Sequence, residues 1–229
     1  MMKTNGIKIA ISPEDRSSNV YHSSVLFGGR PTNEHDQMCR YADCLQEELE
    51  RCGFTVLNMQ YGNMYDRVRD ANNADVDLYI APHTNGFDGT VAGCRIHCYP
   101  SDKSRAFGQL LVDGVRDIYY AGTPAPKIVE STTLYELKGP KAPAVLPEWG
   151  FHDNPKDAQW IVDNVADLAI MTAKACCTYF NVPYVSRETV ANKMFCVQVG
   201  AFSDRKNAEN MLKMVKNDYP DAFIKEVTV

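Results

Sequence analysis

No apolar run in this 229-residue chain approaches the roughly 20 residues that cross a bilayer, so no membrane-spanning helix is expected. No cluster of Lys and Arg stands out either, and the formal net charge is -5. A general nucleic-acid binder meets phosphates with a basic field, so that class is set aside. Eight cysteines are present, but never as Cys-x-x-Cys. Cys39, Cys44, Cys52, Cys94, Cys98, Cys176, Cys177 and Cys196 fall mostly inside periodic apolar segments, where reduced cysteine packs as a small hydrophobe. The first residues, Met-Met-Lys-Thr-Asn-Gly, lead into only Ile7 to Ile11, too short for a signal-peptide core. Synthesis in the cytoplasm is therefore expected, with any external target reached by another route.

What is present is an ordinary globular composition, 45% hydrophobic and 23% charged, with room for one good-sized domain and a small second one. Ile7 to Ile11 reads as a strand, followed by a Ser/Gly/Asn-rich loop over residues 12–31. From Thr32, apolar residues at Met38, Tyr41, Ala42, Leu45, Leu49 and Cys52 keep helical spacing until Gly53 stops it. Strands are expected at 55–57, 77–81, 94–99 and 144–146, and helices at 65–73, 103–119 and 156–180. This alternation predicts an α/β fold with a mostly parallel sheet flanked by helices. Residues 1–182 form the expected main domain and 183–193 an aperiodic linker. Residues 194–229 read as a small βαβ unit: strands at 195–200 and 222–227 enclose a helix that Ser203 is placed to cap. A unit of that size needs a partner to be stable.

Two segments carry the functional signal, Ala81-Pro-His83-Thr-Asn85 and Val145-Leu-Pro-Glu148-Trp-Gly-Phe-His-Asp-Asn154. Each follows an apolar run that reads as a buried strand, and ligands of open parallel sheets sit beyond the carboxyl ends of the strands. Asp15 after the first strand and Glu34 in the first turn of the first long helix are candidates for the same edge. Glu34 precedes Met38 by one helical turn and shares its inward face, although a first-turn glutamate also serves to compensate the helix dipole. His83, beside Pro82 and Asn85, also fits a simple turn. Glu148 is harder to read as structural, because a carboxylate closing an apolar run is costly unless it is used or paired. One histidine with carboxylates suits a catalytic zinc site that keeps one position for water.

Together, Arg67 to Asn73, His83-Thr-Asn85, Gly93 to Tyr99, and Pro143 to Asn154 with Asp157 resemble the zinc-dependent N-acetylmuramoyl-L-alanine amidases of bacterial autolysins and phage endolysins. The resemblance runs from about Ile7 to Phe180. It implies a Zn2+ cofactor, peptidoglycan as substrate, and hydrolysis of the amide between the muramic acid lactyl group and L-alanine. Glu34 and His83 fall on the family's second and third zinc ligands, and Glu148 on its catalytic glutamate. At the first ligand the family has His in a Gly-His-Gly-Gly turn, whereas this chain has Ser12-Pro-Glu-Asp15-Arg. Asp15 stands at the histidine's place; His22, or no third protein ligand, are the alternatives. Asn85 and Lys141 are expected to steady the oxyanion. His35, His97 and His152 are read as packing or rim residues.

The tail resembles the first half of a sporulation-related repeat, a peptidoglycan-binding module, through Phe195-Cys-Val-Gln-Val-Gly-Ala-Phe-Ser203 and Asn207-Ala-Glu. Half a module is explained by a truncated gene, by a docked tail, or by a homodimer in which two chains each donate one βαβ unit. A wall-binding protein that has lost its metal, and a metallo-carboxypeptidase acting on stem peptides, are the competing readings.

Overall fold

Nine strands and six helices occur among the residues that the computed structural model describes, 6–120, 124–187, 200–217 and 222–224. In chain order they are β1 (Lys8–Ile11), β2 (Leu26–Phe27), β3 (Arg30–Pro31), α1 (Glu34–Arg51), β4 (Thr55–Asn58), α2 (Met64–Ala74), β5 (Leu78–Ile80) and β6 (His83–Asn85). They continue with β7 (Arg95–Cys98), α3 (Asp102–Arg116), β8 (Lys127–Glu130), α4 (Tyr135–Lys138), β9 (Ala144–Phe151), α5 (Pro155–Tyr179) and α6 (Arg205–Val215). The chain divides into two units, Met1–Ser186 and Arg187–Val229.

The first unit is the expected α/β layer structure. Its sheet has the order β4-β1-β5-β9-β7-β8, with β6 pairing the distal half of β9. All pairs are parallel except β7 with β9, so β7 and β8 run against the rest. Side chains alternate between the faces of a strand. Ile9, Ile11, Leu78, Ile80, Val145 and Trp149 therefore pack on one face against apolar stripes of α1, α3 and α5, the larger core. Ala10, Tyr79, Ala81, Ala144 and Leu146 pack on the other, with Val68 and Ala71 of α2 and Leu137 of α4. The stripe of α1 is the one its spacing predicts, with Met38, Tyr41, Ala42, Leu45 and Leu49 all buried. Cys52, Cys94, Cys98, Cys176 and Cys177 lie in the larger core, as small hydrophobes do.

One strand departs from expectation in a way that matters for the site. β9 does not end at Leu146 but continues to Phe151, so Glu148 lies inside a strand instead of after it. Pro147, which lacks an N–H and normally breaks a central strand, falls between the two parallel neighbours: Ala144 and Val145 pair with β5, and pairing resumes at Glu148 with β6. Past Glu148 the β6 register slips, since His83 faces Glu148 while Asn85 faces Phe151. Gly150, at φ +155°, takes up this bulge, and a Cβ there would stand 3.2 Å from the Asp157 carboxylate.

The first unit extends beyond residue 182. Tyr184 Oη donates to Glu48 Oε2 at 2.6 Å, and Arg51 Nε donates to the Val185 carbonyl at 2.9 Å. Lys174 Nζ lies 5.5 Å from the centre of the Tyr184 ring. The first residues of the expected linker thus pack as part of this unit. In the second unit α6 forms as predicted, capped by Asp204 and not Ser203. The strands expected at 195–200 and 222–227, the rest of the linker and the pairing of two tails lie wholly or partly outside the described residues. No helix among the described residues is long and apolar enough to cross a membrane.

Candidate active site

Three neighbouring strands deliver the site through their common period of two. The ladder between β1 and β5 continues past the regular strands: Ser12 N–H donates to the Ile80 carbonyl at 2.9 Å and Glu14 N–H to the Pro82 carbonyl at 3.3 Å. Ala10, Ser12 and Glu14 therefore follow one face; Tyr79, Ala81 and His83 follow the same face on the next strand; Ala144, Leu146 and Glu148 do so on β9. His83 and Glu148 are direct partners in the ladder, which places their side chains side by side. The fourth group comes from a helix. Asn33 caps α1 by accepting from Asp36 N–H, and this fixes Glu34 at the first helical position with its side chain turned inward and 1% exposed.

Glu14, Glu34 and His83 offer ligand atoms that all lie within 4.8 Å of one another. His83 Nδ1 is 3.0 Å from Glu14 Oε2 and 3.3 Å from Glu34 Oε1. Around a tetrahedral ion with bonds of about 2.0–2.1 Å, donor atoms stand roughly 3.3 Å apart, so this spacing fits. Glu34 is held from outside the group: Thr84 N–H donates to its Oε1 at 2.6 Å and Asn19 Nδ2 to its Oε2 at 2.7 Å. Glu14, Glu34 and Glu136 are buried carboxylates gathered around a single imidazole. Buried like charges need a compensating cation, and a divalent ion answers that need.

The electrostatics of the site centre on His83. Burial disfavours its charge, but hydrogen bonds to Glu136, Glu14 and Glu34 outweigh burial and hold the imidazole well above its ordinary value. In return, burial would raise Glu14 and Glu136, yet their hydrogen bonds to His83 keep both below the usual carboxylate range. Glu148 goes the other way. Burial pushes it up to about 7, with the Glu34 and Glu14 carboxylates adding to the rise and His83 opposing it. Its Oε2 is enclosed and meets no hydrogen-bond partner among the described residues. The other neighbour across β9 is Arg95, whose guanidinium stacks 5.0 Å from the Phe151 ring centre.

Two clefts meet at His83. One, about 350 Å³, runs past Asp15, Arg16, Met64, Tyr65 and Glu136. The second, about 440 Å³, is lined by Asn19, Asn85, Phe87, Glu148, His152 and Asp153.

The residues expected from sequence separate clearly. Glu34, His83, Glu148 and Asn85 come together. Asp15 is exposed and outside the group of three ligand atoms; its neighbour Glu14 takes that position. His22 also lies outside it, with Nδ1 bonded to Ser24 Oγ at 2.8 Å. Lys141 is exposed in the turn before β9, where its N–H donates to Asn72, and it lines neither cleft. His152 forms part of the rim, stacked on Tyr21 with ring centres 6.0 Å apart. Sequence reasoning missed Glu14 and Glu136. The strand period carried on from Ala10 and Ser12 would have found the first; nothing in a four-residue helix marks the second.

A family model for N-acetylmuramoyl-L-alanine amidase matches residues 22–177. The chain belongs to the N-acetylmuramoyl-L-alanine amidase family. The match starts at His22, so the segment that carries Glu14 lies outside it. A SPOR domain model matches residues 191–229. The sporulation-specific N-acetylmuramoyl-L-alanine amidase of Bacillus subtilis strain 168 is 27% identical over 154 residues, which is 66% of this chain and 58% of that protein. The chain thus spans little more than half the length of this curated relative. Among solved structures, the amidase AmiC2 of Nostoc punctiforme superposes with a TM-score of 0.65 at 16% identity, covering 78% of this chain and 99% of that one. An N-acetylmuramoyl-L-alanine amidase from Clostridium difficile 630 gives a TM-score of 0.66 at 21% identity, covering 78% and 98%. At these identities the likeness is one of fold.

Proposed function

We propose that this amidase-family chain hydrolyses the amide between N-acetylmuramic acid and the L-alanine of the peptidoglycan stem. In this reading Glu14, Glu34 and His83 hold a zinc ion, and Glu148 is the general base and acid. The observation that carries it is the register of β6 against β9, which sets Glu148 beside the one histidine of a three-donor group. Zinc, when bound, supplies an acidified water and polarises the scissile carbonyl.

The chain's own residues supply the rest. In the metal-free chain burial draws Glu148 up to about 7; a dication held beside it lowers that value and keeps the carboxylate ionised as a base. Glu148 takes a proton from the attacking water and returns it to the departing alanine nitrogen. Asn85 lines the same cleft, with its Oδ1 engaged by Gly86 N–H at 2.9 Å; this leaves its amide N–H groups to meet the substrate carbonyl. The cleft that holds Glu148 and Asn85 is lined mainly by polar side chains, which suits a sugar–peptide substrate. The SPOR-like residues 191–229 add affinity for the wall, where the enzyme acts.

The test is Glu148→Gln. The variant should bind zinc in the parent's ratio while its hydrolysis of purified wall falls by about 10²-fold or more, the scale of general acid–base catalysis. Wall hydrolysis at the parent rate would overturn the assignment of Glu148. A parent chain that takes up no zinc would favour a binding role over an enzymatic one.

A further inference from the structure

We propose that Glu136, on the short helix α4, is the positioning residue for His83: it accepts the Nε2 hydrogen and so turns the Nδ1 lone pair toward Glu14 and Glu34. The inference rests on the metal-centre reading above. Glu136 is 6% exposed, and both its oxygens are engaged. Oε2 lies 3.3 Å from His83 Nε2. Oε1 accepts from Ser12 Oγ at 2.6 Å and from Tyr79 Oη at 2.8 Å. Ser12 lies on the extension of β1 that carries Glu14, and Tyr79 on β5, which leads into His83 at the start of β6, so the carboxylate is locked to the backbone segments that place the ligands.

A neutral histidine has one donor nitrogen and one acceptor nitrogen, and the hydrogen bond at one nitrogen decides which is which. His83 Nδ1 faces the two carboxylates of the ligand group. A metal can bind there only if the ring's remaining hydrogen stays on Nε2. Glu136 is the acceptor that keeps it there, and its charge raises the basicity of Nδ1; such outer partners are worth about 10–100-fold in metal affinity. α4 has only four residues and forms where its glutamate is needed. Arg67 completes the support from α2, donating to the Pro13 carbonyl just before Glu14.

The experiment uses the full chain, stripped of metal and titrated with zinc against a chromogenic chelator. Glu136→Gln keeps an acceptor but loses the charge and should weaken zinc about tenfold; Glu136→Leu loses both and should weaken it about 100-fold. Proton–nitrogen spectra of the zinc-loaded parent, labelled at histidine, should show His83 protonated at Nε2, with that hydrogen exchanging slowly. A merely structural role for Glu136 would not fix this tautomer. Zinc affinities of both variants within twofold of the parent would overturn the proposal, as would a His83 hydrogen on Nδ1 in the zinc-loaded parent, a readout that needs no variant to fold. Glu34→Gln separates the two levels. If it loses zinc while the Glu136 variants do not, only the positioning role fails; if it binds like the parent, the metal centre itself fails.

Discussion

His83 is the residue on which the site turns, because one imidazole is shared among three carboxylates, with a fourth, Glu148, next to it in the sheet. The proposed ligand set is more anionic than the family's pattern, in which a histidine stands first. It follows from one backbone detail: the ladder from β1 runs on for two more hydrogen bonds and delivers Glu14 where Asp15 was expected. Glu14→Gln should therefore lower zinc affinity by more than the ~100-fold ceiling of an outer partner, whereas Asp15→Asn should leave it nearly unchanged. Chelator competition on the two variants decides between them; the reverse order would restore Asp15.

Glu148 makes a second prediction at this scale, for the metal-free protein. Its folded value of about 7 exceeds the ordinary 4.5, so the folded state holds the proton more tightly than the unfolded state. That stabilisation is complete below about 4.5 and is lost as pH rises through about 7. Glu148→Gln does not suffer this loss. Its stability advantage over the parent should be near zero at low pH, grow between those limits and level off above them, on the order of 2 kcal/mol given partial enclosure. Urea unfolding of both proteins across pH measures it, and an advantage independent of pH would contradict the burial of this carboxylate.

At the scale of elements, the corner between β9 and α5 holds β9 in register. Asp157, 0% exposed, accepts hydrogens from Gly93 N at 2.9 Å, Phe151 N at 2.8 Å, Tyr119 Oη at 2.7 Å and Tyr120 Oη at 2.5 Å. Asn154 starts α5 by capping Lys156 and Asp157, which brings the carboxylate to the bulge at Gly150. Asp157→Asn would set amide hydrogens against these donors and should cost about 3 kcal/mol or more, read as a lower urea midpoint; an unchanged midpoint would show that the corner is not what fixes β9. The long elements were legible in the sequence because their periods are: α1, α3 and α5 each carry an apolar stripe, β1 and β5 are short apolar runs, and β7 alternates. The full length of β9 is not legible, because a proline ends a strand unless two different neighbours divide its length, which no local pattern reveals. α4 is shorter than any helix that propensity alone sustains. It exists because Ser12, Tyr79 and His83 engage its glutamate, and those are long-range contacts. Glu34 and His83 were readable from the ends of elements, Glu148 from an otherwise unaccounted charge, and Glu136 from neither.

For the molecule as a whole, the same sheet edge gathers groups separated by more than a hundred residues, from Glu14 to Glu148, into a centre suited to an ion and a proton acceptor. The chain belongs to the N-acetylmuramoyl-L-alanine amidase family, and a SPOR domain model matches residues 191–229; both agree with the cell-wall role proposed above. The central claim is the bond that is cut. Mass spectrometry of purified peptidoglycan digested by the zinc-loaded chain tests it most directly. The account predicts stem peptides with a newly free N-terminal alanine and glycan strands whose muramic acid retains its lactyl group. Stems still joined to the glycan, with new C-termini or new sugar reducing ends in their place, would contradict it.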